Sequence, residues 1–173
     1  MVQKWFDRTF DFSFGADQYH PLLVRLENGP GHYARAVASI PEEIVHLKPD
    51  GKWSVKEHIG HLLILEPLWL SRLKEISTGA AHMSPADLNN TATDEAFFND
   101  LPLKILTDRF HLARRQTTHF LNGLAPEAFS HSSIHPRLQK PMRIIDLMYF
   151  VAEHDDHHLD AIHHIINRNK IIP

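Results

Sequence analysis

The stretch Glu153-His154-Asp155-Asp156-His157-His158-Leu159 decides how this chain is read. It lies inside a run from about Ile144 to Asn167 in which Leu147, Phe150, Val151, Ile162 and Ile165 recur at helical spacing. Counting about 100° per residue from His154, His158 falls at about 40°, Val151 at about 60° and Ile162 at about 80°. Glu153, Asp156 and Asp160 fall at about 200–260°, on the opposite side. His154 and His158 therefore project from the apolar stripe. Imidazoles placed there are costly unless they have partners. They are either core histidines satisfied by hydrogen bonds or, because i and i+4 nitrogens can chelate one ion, half of a metal site. His157 and His164 lie at the flank of the stripe.

Two histidines do not close a site, so a third ligand is expected from a facing helix. Ser54 followed by Glu57 is a capping-box signature and predicts a helix from Val55 to about Ile76, with Pro67 kinking it. That helix carries Glu57-His58-Ile59-Gly60-His61-Leu62. Periodicity slightly favours His58, which lies nearer the centre of the apolar arc, while His61 lies toward its edge. Helical geometry leaves the choice between them open. Glu66 is a candidate carboxylate on the same helix but is expected to be solvated. Asp155, Asp156 and His157 are candidates for orienting a ligand imidazole through its second nitrogen.

Another helix is predicted from Leu103 to Asn122, stopped by Gly123. Before all of these, Tyr19, Leu22, Leu23 and Leu26 begin a helix that Asn28-Gly29-Pro30-Gly31 should break or sharply kink. The pattern is all-α: a four-helix bundle with long crossover loops. Residues 1–17 form an N-terminal arm in which Phe10, Phe12 and Phe14 alternate with polar residues. The arm is expected to lie extended across its own domain, ahead of packing on a second subunit. Residues 18–173 form the single bundle domain. The connection 78–100, with a short turn near Glu95–Phe98, and the loop 131–140 should rim the pocket. Histidines 20, 32, 46, 82, 111, 119, 131 and 135 are expected in surface or loop positions.

Composition narrows the function. The chain has 173 residues, 43% hydrophobic and 23% charged, as a globular domain should. The 18 basic and 21 acidic residues give a net charge of −3, which argues against nucleic acid or an anionic membrane as partner. With no cysteine, thiolate ligands and a cysteine nucleophile are excluded. No apolar run approaches the roughly 18–20 residues of a membrane helix, and no signal-peptide core opens the chain. A cytoplasmic protein is expected. There is no Gly-rich phosphate loop and no nucleophile elbow.

Three motifs together resemble the DinB/YfiT-like superfamily of metal-dependent enzymes. They are Trp53-Ser54 followed eight residues after the Trp by His61, the pair His135-Pro136, and the His154-x-x-x-His158 helix. The resemblance covers roughly residues 18–168. It implies an up-up-down-down four-helix bundle, often a homodimer, with His61, His154 and His158 as ligands of a divalent ion, zinc or nickel. It thereby favours His61 over His58. It further implies a small-molecule substrate and either a thiol S-transferase, using a low-molecular-weight thiol, or a metal-dependent hydrolase. A non-catalytic, stress-associated metal-binding dimer is the alternative of a different class.

Overall fold

The computed structural model describes residues 4–169. Six helices occur there: α1 (Tyr19–Val37), α2 (Glu42–Val45), α3 (Val55–Ser77), α4 (Thr91–Asp94), α5 (Leu103–Asn122) and α6 (Ile144–Asn169). The long ones, α1, α3, α5 and α6, form a four-helix bundle. Each of α1 and α3 packs on both α5 and α6. None of the described helices is long and apolar enough to cross a membrane.

Helix direction follows from two apolar clusters at opposite ends of the bundle. One joins Leu22 and Leu26 of α1, Trp69 and Leu73 of α3, Leu121 of α5 and Leu147 of α6. The other joins Tyr33, Ile59, Phe110 and Ile162 from the same four helices. Helices α1 and α6 thus run one way, and α3 and α5 the other. The order is up-down-down-up, which corrects the up-up-down-down order. The physical reason lies in the connections: only the segment 78–102 must return along the length of the bundle, where the other order requires two such crossovers.

Helix α1 runs unbroken through Pro30, contrary to the expected break. Proline has no N–H for the Leu26 carbonyl four residues earlier. Arg114 Nη1 fills that role, donating to Leu26 O at 3.2 Å. Helix α3 begins with the expected capping box: Glu57 N donates to Ser54 Oγ at 3.2 Å, and Ser54 N donates to Glu57 Oε2 at 2.8 Å. Gly60 is required on its next turn, because a Cβ there would lie 2.2 Å from the Phe98 ring. Phe98 belongs to a 3₁₀ turn, Phe98–Asp100, and the helical turn of α4 ends before Glu95, so the predicted turn near Glu95–Phe98 is displaced to either side.

The arm lies on its own bundle. Phe10 is buried, Phe12 and Phe14 are half-buried, and the intervening Asp11 and Ser13 are exposed. Arg143 Nη2 donates to the carbonyls of Phe12 and Phe14, at 3.1 Å each. Residues 1–3 of the arm and 170–173 of the bundle domain lie outside the described residues. A two-residue hairpin, β1 (Ser133–Ile134) with β2 (Pro141–Met142), forms where only a loop was expected. Ile134 also exchanges backbone hydrogen bonds with Ala81 and Met83, at 3.0 and 3.1 Å, which ties the two loops together.

Candidate metal centre

Between α3 and α6 lies a cavity of about 860 Å³. Its floor is made by His61, His154 and His158, all buried. Each offers one nitrogen to a cluster whose atoms lie within 4.8 Å of one another. The Nε2 atoms of His154 and His158 are 3.3 Å apart. Two nitrogens about 2.0–2.1 Å from a tetrahedral ion are separated by about that distance. The i, i+4 spacing on α6 and the opposed direction of α3 bring these side chains into one place.

The second nitrogens are held by Thr93, which sequence reasoning passed over, and by His58, which it weighed as a ligand. His61 Nδ1 lies 3.0 Å from Thr93 Oγ1 on α4. His158 Nδ1 lies 2.8 Å from His58 Nδ1. When His61 and His158 donate through these Nδ1 atoms, to Thr93 and His58, their Nε2 lone pairs are left for the cavity. His154 Nδ1 is buried without a hydrogen-bond partner among the described residues. Of the two candidates on α3, His61 lies in the cluster and His58 stands behind His158.

None of the three residues expected to orient the imidazoles makes a hydrogen bond to one of them. Asp155 is turned away and is bound by Arg114 Nη1 at 2.6 Å. Exposed Asp156 pairs with Arg25 at 2.6 Å. His157 is half-buried against Trp5, and its Nδ1 has no hydrogen-bond partner among the described residues. Glu66 is buried rather than solvated, 2.6 Å from Arg114 Nη2 and accepting from Thr117 Oγ1 at 2.8 Å. Its helix face points into the bundle, where a carboxylate needs such partners. His135 is likewise buried, and it lines the cavity.

Burial keeps the cluster neutral. It pushes His61 down to about 4, and His154 and His158 well below the ordinary histidine range, with neighbouring histidines adding to the shift. Neutral imidazole is the form that ligates a metal. The donor set, its spacing and its protonation all fit a divalent ion with at least one coordination position left for substrate.

The loops expected at the rim are there. Pro85, Leu88, Asn90 and Asp94 come from the 78–102 connection, and His135, Pro136 and Arg137 from the hairpin. Trp53 donates its indole N–H to Asp94 Oδ1 at 2.8 Å and packs 4.6 Å from the His61 ring. The arm supplies Trp5, whose ring is 4.8 Å from that of His154. No periodicity signals Thr93, Asp94 or Trp5, because each reaches the site from irregular chain or a single turn.

The architecture is thus a four-helix bundle with a buried three-histidine cluster at the base of a cavity. The chain belongs to the DinB superfamily, whose family model matches residues 25–162. Among solved structures, it is similar to YfiT from Bacillus subtilis, described as a probable metal-dependent hydrolase with an unusual four-helix bundle topology. That match has a TM-score of 0.81 and 18% identity and covers 93% of each chain. It is also similar to a mycothiol-dependent maleylpyruvate isomerase, with a TM-score of 0.63 and 16% identity, over 87% of this chain and 66% of that one. No curated protein matches the chain.

Proposed function

We propose that the cavity is the active site of a divalent-metal-dependent enzyme acting on a small molecule, with His61, His154 and His158 as the metal ligands. The observation that carries this reading is the neutral, buried three-imidazole cluster at the base of an open cavity. A zinc or nickel ion held there supplies Lewis acidity that lowers the pKa of a thiol or water. Thr93 and His58 fix the imidazoles of His61 and His158. Trp5 and Trp53 pack on the imidazoles of His154 and His61 and hold their rings in place.

Of the two chemistries, transfer of a low-molecular-weight thiol to an electrophile is favoured. It rests on the family resemblance and on the described mycothiol dependence of a structural neighbour. Hydrolysis is the second reading, supported by the description of YfiT. A homodimer belongs to the same proposal by resemblance.

Metal content is measured after purification without chelators, followed by turnover of thiols with a reference electrophile and of simple esters and amides. The expected result is one equivalent of metal, lost in the His154→Ala/His158→Ala double variant, with thiol-dependent turnover lost in parallel. Unchanged metal content in the double variant overturns the site. Metal binding without turnover on any substrate class leaves a non-catalytic metal-binding protein.

A further inference from the structure

Beyond the three clustered histidines, the cavity wall carries cationic and donor groups that the proposed metal chemistry does not use. Arg72 is 2% exposed and makes no ion pair within contact distance among the described residues, the Glu75 carboxylate acting on it only from further off. Its Nε donates to Ser84 O at 2.9 Å, and its Nη1 approaches His135 Nε2 at 3.2 Å. Leu138 N also approaches His135, at Nδ1, at 3.2 Å. A neutral imidazole has one acceptor nitrogen, so His135 can satisfy only one of these two donors.

Arg137 is less satisfied still. Its guanidinium lies over the rings of Phe6 and Phe150, 5.3 and 5.8 Å from their centroids, and among the described residues it makes no ion pair and its buried Nη2 has no hydrogen-bond partner. The indole N–H of Trp69, a residue 3% exposed, is also buried without a hydrogen-bond partner among the described residues. All three residues line the same cavity as the histidines. Buried donors left unmade are costly, and a buried guanidinium with no carboxylate in contact more so, which applies to Arg72 in full and to half-buried Arg137 through its buried Nη2. The other fully buried guanidinium, Arg114, is in contact with two carboxylates. The contrast marks Arg72 and Arg137 as groups whose acceptor comes from outside the chain.

We propose that Arg72, Arg137 and the Trp69 N–H form a subsite for the carboxylate of a small organic substrate, whose apolar body lies against Trp5, Phe6 and Phe150. A planar carboxylate matches the guanidinium fork, and the aromatic wall suits an unsaturated or aromatic body. This deepens the proposed function by naming a substrate class, and it rests on that reading only for the reaction, because the subsite is built without the metal.

The test is calorimetric titration of the full chain, stripped of metal, with benzoate, its uncharged counterpart benzamide, and inorganic phosphate. Benzoate is expected to bind at least about ten-fold more tightly than either. Arg137→Gln, at a half-buried position, should abolish that preference while thermal unfolding stays near wild type, and Arg72→Lys should weaken benzoate less than Arg72→Gln does. Equal binding of benzoate and benzamide, tighter binding of phosphate, or an intact preference in Arg137→Gln overturns the subsite. Since the titration needs no metal, its failure leaves the three-histidine reading standing, and loss of that reading leaves this measurement intact.

Discussion

His58 Nδ1 lies 2.8 Å from Nδ1 of His158, so the imidazole that aims its other nitrogen at the cavity is held from behind by a residue one turn before His61. Such a partner fixes the tautomer and orientation of a ligand imidazole. His58→Ala should weaken metal binding about 10–100-fold, measured by chelator competition. Helix content should be unchanged, and His58→Asn, which keeps a polar partner, should recover part of the loss. Wild-type metal affinity in His58→Ala would show that packing alone orients His158.

Burial pushes His61 and His135 down to about 4 and His58 to about 3, from an ordinary 6.5. With the folded pKa below the unfolded one, the unfolded chain takes up protons first as pH falls. Stability is therefore complete above pH 6.5 and is lost as pH falls toward those values, by up to about 1.4 kcal/mol per pH unit for each such histidine. The thermal midpoint of the metal-free protein should drop steadily from pH 7 to 4.5. His135→Gln should make that slope shallower. A midpoint that does not move over this range would contradict the burial argument.

Arg114 joins Glu66, Asp155 and the Leu26 carbonyl in the centre of the bundle, tying α5 to α3, α6 and α1. Burial alone would lower its pKa, but the two adjacent carboxylates hold it above its ordinary value, and it stays charged. Arg114→Met leaves two buried carboxylates without a countercharge and should cost about 3–5 kcal/mol in urea unfolding. Because Asp155 adjoins His154, the same variant should also loosen metal binding. A loss below about 1 kcal/mol would mean that the carboxylates find other partners.

Much of this architecture is legible in the sequence, for identifiable reasons. Leu103–Asn122 and Val55–Ser77 are bounded by local signals, Gly123 and the Ser54–Glu57 box, and both helices form where those signals put them. His154 and His158 are legible as inward-facing because their spacing matches the apolar stripe. Pro30 misleads because the group that rescues its orphaned carbonyl, Arg114, is 84 residues away in the chain. Glu66 and His135 misled for a related reason: their partners lie on other elements, so nothing adjacent in sequence marks them as buried.

By itself the sequence determined the four helices and the face from which the α6 histidines project, because helix periodicity and capping are local. Only the tertiary structure decided that α1 and α6 run together against α3 and α5, that Thr93 and His58 stand behind His61 and His158, and that Arg72 and Arg137 share their cavity. Those relations depend on where a 25-residue connection, 78–102, and an N-terminal arm come to rest. Burial against distant residues settles that, and it leaves no periodic trace in the chain.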